Sequence, residues 1–143
     1  MTWIEKLQEG IIVRSPQEMQ QFAMNFAKEL GEDSVLCLHG DLGAGKTTFV
    51  GGLALAFEIK DLVTSPTYTL LNVHEGTKRL LHCDAYRLKK PEEIEFLGLE
   101  ELMNQAYCWV IEWPERIAGY IPDHALHLYF EAQENGVRRV VLK

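Results

Sequence analysis

The sequence predicts an α/β domain of three layers around a mixed, partly parallel central sheet. Three observations lead there. A short apolar strand segment runs into a glycine-rich loop and then into a helix, "SVLCLHGDLGAGKTTFVGGLALAF". Helical segments with clear start and stop signals alternate with further apolar strand runs. Two pairs of those runs are joined by tight turns, so antiparallel hairpins sit beside parallel strands. At 143 residues with no linker, the chain fits one domain, residues 1–143.

The elements follow in order. A first strand precedes the helix "SPQEMQQFAMNFAKELG". Ser15 caps that helix, Glu18 reaches back in a capping box, Pro16 suits its first position and Gly31 its stop. Met19, Phe22, Ala23, Phe26, Ala27 and Leu30 fall on one face at helical spacing and form a core stripe. "SVLCLHG" is the strand before the glycine loop, and "KTTFVGGLALAF" the helix after it, its glycine pair marking close packing. "TYTLLNVH" and "RLLHCDAY" form a hairpin across "EGTK". "PEEIEFLG" is a short helix with Pro91 at its start and Gly98 at its stop. "YCWVIE" is a buried strand. "ALHLYFEAQENGVRRVVL" is a final hairpin turning at Asn135-Gly136.

Composition narrows the function classes. The chain is 47% hydrophobic and carries a net charge of −7. The basic pairs Lys89-Lys90 and Arg138-Arg139 are too short for the basic patch that a direct nucleic-acid binder shows. They read as solvated faces. The N-terminal "MTWIEKLQEG" does not read as a signal peptide, and no apolar run approaches the ~20 residues that span a bilayer. Cys37, Cys83 and Cys108 lack metal or redox spacing and read as buried thiols in a reducing cytoplasm.

Gly40 to Thr47 matches G-x-x-x-x-G-K-[ST] at every fixed position, between a strand and a helix. Glycines let the backbone curl so that amides from Asp41 through Leu42, Gly43, Ala44, Gly45, Lys46, Thr47 and Thr48 face phosphate oxygens. The helix start adds its positive dipole end. Lys46 brings a full charge to the β- and γ-phosphates, and the Thr47 hydroxyl can ligate Mg²⁺. The expected architecture is therefore P-loop NTPase-like. Two acids close apolar strands, Asp84 after "LLHC" and Glu112 after "CWVI". Ligands of open α/β sheets gather at such strand ends, so either acid can hold the metal or its waters. "TSPTYT" offers Ser65 and Thr67, beside the rigid Pro66, as switch residues sensing the γ-phosphate. No N-K-x-D segment marks a guanine site, which leaves adenine as the default base. His82 and Asp84 form an H-x-D pair that reads as strand packing. His39 reads as a strand-end residue, while His74, His124 and His127 do not cluster.

Five segments in this order, "GDLGAGKTT", "SPTYTL", "DAYRL", "PEEIEFLGL" and "EWPERI", give the chain its resemblance to the TsaE (YjeE) family. That family consists of bacterial P-loop ATPases needed to make N6-threonylcarbamoyladenosine (t6A) in tRNA. The resemblance runs from Ser15 to the last strand. It implies an ATP-hydrolysing accessory protein, with Mg²⁺ as cofactor, that acts on a TsaB–TsaD complex and meets tRNA only through that complex. It implies that Lys46 and Thr47 hold phosphate and Mg²⁺, that Glu112 is the strand-terminal metal ligand, and that Asp84 is the second essential acid. It further places Thr67 in the switch segment, and Trp113 and the helix start at Ser15 beside the nucleotide. On the residues alone two alternatives stay open, a small-molecule kinase and an ATP-switched binding module whose hydrolysis is incidental.

Overall fold

The computed structural model describes residues 1–41, 43–61 and 70–143. The chain opens with α1 (Trp3–Glu9) and β1 (Ile11–Val13), followed by α2 (Pro16–Ala27), β2 (Asp33–His39) and α3 (Lys46–Ala56). The hairpin β3 (Leu71–His74) and β4 (Arg79–Asp84) comes next, then α4 (Leu99–Leu102) and β5 (Tyr107–Glu112). The hairpin β6 (Leu126–Ala132) and β7 (Arg138–Leu142) closes the fold. Among the described residues one sheet of seven strands runs in the order β1-β7-β6-β2-β5-β4-β3. Its centre, β6-β2-β5-β4, is parallel, and both flanks are antiparallel. The sheet is mixed as expected.

Parallel strands are covered on both faces, which is why β2, β4 and β5 read as near-continuous apolar runs. Alternation still sorts their residues. Leu36, Leu38, Leu80, Cys108 and Val110 pack with α1, α2 and α3 on one face. Val35, Cys37, Leu81, Cys83, Trp109 and Ile111 pack on the other. That second layer is built largely from 3₁₀ turns, Ala85–Arg87, Pro91–Phe96 and Pro114–Tyr120. The segment expected to be a short helix at Pro91 is thus a 3₁₀ turn, a form suited to pieces of a few residues.

The caps decide where the site's helices begin. The Ser15 hydroxyl accepts the Glu18 N–H at 3.1 Å. The Glu18 carboxylate, however, accepts from Arg14 N–H at 2.6 Å rather than from Ser15, so the box closes one residue earlier than expected. α1 was not foreseen. It carries a complete capping box of its own between Thr2 and Glu5. The last hairpin turns at Asn135-Gly136 as expected, both residues in the left-handed region (φ 58° and 75°). It is longer than two residues, since Gln133 N–H bonds Val137 C=O at 2.8 Å across a five-residue connection.

Candidate functional site

Register builds the site. In the parallel core, Leu38 of β2 stands level with Glu112 of β5, and Asp84 of β4 stands level with the same Glu112. Both acids therefore sit at one height at the carboxyl edge of the sheet, Glu112 on the strand beside the one that feeds the glycine loop and Asp84 one strand further out. Alternation from Leu80 and Val110 turns His82, Asp84 and Glu112 toward the α3 side of the sheet. There Lys46 opens α3. Gly45 supplies the left-handed cap (φ 100°, ψ 7°) that lets the loop enter that helix.

The Lys46 ammonium is buried, 7% exposed, and donates to the Gly40 carbonyl at 2.6 Å. It lies 3.8 Å from Glu112 Oε1 and 5.3 Å from the Trp113 ring centre. The other Glu112 oxygen, Oε2, is 2.7 Å from His82 Nε2. Burial raises the Glu112 carboxyl, but the His82 hydrogen bond and the Lys46 charge outweigh it and hold the group below its ordinary range. Asp84 moves the opposite way, raised by burial and by the Glu112 charge against the Tyr86 N–H that it accepts at 3.0 Å. Two carboxylates at one sheet level are thus pushed apart, which fits different tasks for them.

A cleft of about 240 Å³ lies over this floor. It gathers the expected residues Ser15, Gly43, Gly45, Lys46, Thr47, Thr48 and Glu112. It also includes four that sequence reasoning missed, Pro16, Met19, Gly136 and Arg138. Arg138 is not a solvated-face residue as expected: its Nε–H donates to the Gly43 carbonyl at 3.1 Å and ties the last hairpin to the loop. A lone arginine pair gave no signal for this, since only the β6–β7 turn brings it there. A second recess of about 110 Å³ joins Asp41 and Trp113 to Lys46, His39 and Glu115. Ala44 is buried beneath the loop, at 1% exposure, and serves packing through its side chain. Leu42, Ser65 and Thr67 lie outside the described residues.

Trp113 sits in the left-handed region (φ 57°, ψ 50°), an outlier for so bulky a residue. Tyr86 packs beside it with ring centres 5.1 Å apart. Strain of this kind concentrates where surrounding contacts over-determine the backbone. His39 is also more than a strand end. Its Nε2 is 2.9 Å from His127 Nδ1, and its ring stacks on Tyr129 at 4.2 Å. Pairing of β2 with β6 makes that contact, which spacing in sequence cannot reveal.

The donor set suits a hard divalent cation: the Thr47 hydroxyl and the Glu112 carboxylate line one cleft, with Asp84 level with Glu112. Fold and cleft together define the class, an α/β protein whose strand, glycine loop and helix wall a cleft with a buried lysine at its base. Comparison with known proteins narrows this. Residues 13–140 match the family described as "Threonylcarbamoyl adenosine biosynthesis protein TsaE". A protein named tRNA threonylcarbamoyladenosine biosynthesis protein TsaE from Treponema pallidum (strain Nichols) is 37% identical over 131 residues, covering 92% of this chain and 97% of that one. One of the same name from Aquifex aeolicus (strain VF5) is 40% identical over 114 residues, covering 78% and 80%. The crystal structure of Bacillus subtilis YdiB superposes with a TM-score of 0.76 at 30% identity, covering 93% of this chain and 82% of that chain. The chain belongs to the TsaE family.

Proposed function

We propose that this chain is a Mg²⁺-dependent ATP-binding and ATP-hydrolysing accessory protein of tRNA t6A biosynthesis. It acts with a TsaB–TsaD complex in the cytoplasm and reaches tRNA only through that complex. The observation that carries the reading is the cleft in which a buried Lys46 and Glu112 meet the glycine loop at the start of α3. A buried ammonium is costly unless anions surround it. Here one carbonyl and one carboxylate hold it beside a loop whose glycines suit phosphate.

Phosphoryl transfer to water asks for positioning and charge neutralisation more than covalent chemistry. Lys46 and the loop amides neutralise phosphate oxygens. Thr47 and Glu112 hold Mg²⁺, which supplies further charge to the phosphates when bound. Asp84, at the same strand edge, orients the attacking water. Arg138 and the Gly136 turn wall the cleft on the side of α2, where the rest of the nucleotide has room. Arg87, 3.8 Å from Asp84 and partly exposed, makes an ion pair there rather than facing the cleft. Among the described residues Lys46 and Arg138 are the cations that line the cleft, and a partner's group adds to them when the complex forms.

The test is ATP binding and turnover by the purified chain, alone and with TsaB–TsaD, using Lys46→Ala as the blank. Slow turnover alone, raised tenfold or more by the complex and lost in the blank, is the expected result. Brisk turnover without partners sinks the partner-gated reading. Phosphate appearing on a metabolite rather than in water favours a kinase instead.

A further inference from the structure

Among the described buried polar side chains, His82 is the one with no exposed surface. It stands on β4 two residues before Asp84 and sends Nε2 to within 2.7 Å of Glu112 Oε2. The two oxygens of Glu112 are thereby divided. One is fixed by His82, and the other faces Lys46 Nζ at 3.8 Å on the floor of the cleft. An ionised carboxylate has no proton to give, so the imidazole donates from Nε2. Its Nδ1 finds no hydrogen-bond partner among the described residues.

Packing alone does not explain the residue. A leucine or phenylalanine would fill the same space between Leu80 and Val110 without an unpaired buried nitrogen. One hydrogen bond to a charged group offsets only part of the cost of burying the ring. We propose that His82 is a positioning residue, whose Nε2–H fixes one oxygen of Glu112 so that the other is presented to Lys46 and Mg²⁺ in the nucleotide cleft. This rests on the reading of that cleft as a Mg²⁺–nucleotide site. Partners that orient a metal ligand typically contribute 10–100-fold to metal affinity or activity.

The experiment compares His82→Gln, His82→Asn and His82→Phe in the full chain. A glutamine amide falls close to where Nε2 lies, whereas an asparagine amide falls near Nδ1 and does not reach Glu112. Calorimetry measures ADP affinity with and without Mg²⁺, and steady-state kinetics measure kcat and KM. Mg²⁺-free ADP affinity is expected to stay within about twofold of the parent throughout. The gain in affinity on adding Mg²⁺ should fall about tenfold in His82→Asn and His82→Phe and be largely kept in His82→Gln. Turnover, read as kcat/KM for Mg²⁺–ATP, should follow the same order, with KM raised in step with the lost Mg²⁺ gain. Equal loss in the Gln and Asn variants, or an unchanged Mg²⁺ gain in His82→Asn, overturns the proposal. If His82→Phe fails to fold, the Gln and Asn pair decides. A parent chain whose ADP affinity does not respond to Mg²⁺ overturns the nucleotide-site reading instead, and with it the premise.

Discussion

The Asp84 carboxylate accepts the Tyr86 N–H at 3.0 Å, capping the turn Ala85–Arg87, while it also stands level with Glu112 at the edge of the parallel strands. One residue therefore carries a local structural bond and a proposed chemical task, and two substitutions separate them. Asparagine caps about as well as aspartate, whereas alanine loses the cap at a cost of about 1 kcal/mol. Asp84→Asn should leave the midpoint of denaturant unfolding close to that of the parent, and Asp84→Ala should lower it. If the carboxylate orients the attacking water, both should lose turnover by about 100-fold or more. Full turnover in Asp84→Asn would remove Asp84 from the chemistry and leave it as a cap. Trp113 carries a related lesson. Its left-handed backbone places the ring over Lys46, and nothing in "EWPERI" announced that conformation, because a tryptophan there runs against steric preference.

Between helices, Gly51 and Gly52 sit side by side in α3 with opposite surroundings. A Cβ on Gly52 would lie 2.6 Å from Ala23 Cβ and 2.7 Å from the Gln20 carbonyl of α2, whereas a Cβ on Gly51 meets nothing within 4 Å among the described residues. Gly52→Ala should force the helices apart and destabilise the fold by about 1–3 kcal/mol. Gly51→Ala should stabilise it by about 0.5–1 kcal/mol through helix propensity. Thermal unfolding of the two variants checks the contrast, and equal shifts would disprove the close crossing. The glycine pair was legible as a packing signal, though not which glycine bears the contact, because only the crossing with α2 decides it. Local patterns of this sort reached far: strand periods, the phosphate loop, the Ser15 cap and both hairpins follow from neighbours in sequence. α1 was also readable, since Thr2 and Glu5 spell a capping box before an apolar run. What local pattern cannot carry is register. Glu112 meeting His82 across β4 and β5, His39 meeting His127 across β2 and β6, and Arg138 reaching Gly43 all depend on strands distant in sequence. The H-x-D pair was visible, but its partner carboxylate is 30 residues on.

For the molecule as a whole, the parallel core sets a limit on alkaline stability. Cys37, Cys83 and Cys108 lie in β2, β4 and β5, all free and fully buried. Burial pushes each thiol up to about 12. An unfolded thiol titrates near 8.5, so above that pH the folded state holds protons that the unfolded state has lost. A group whose folded value is raised contributes stability in full below the unfolded value and loses it as pH climbs toward the folded one. Stability should therefore not fall on account of these thiols up to about pH 8.5, and should decline from there toward pH 12. The loss is about 2 kcal/mol per thiol by pH 10. Denaturant midpoints at pH 7.5, 9 and 10 measure it, and Cys108→Ala should show a shallower decline than the parent, whatever its midpoint at pH 7.5. The same burial keeps the thiols from reagents. At pH 8 the native protein should leave a thiol-reactive disulfide untouched over minutes and titrate three thiols once unfolded in guanidinium. Rapid reaction of even one thiol in the native state would mean that the central strands open far more readily than their packing implies.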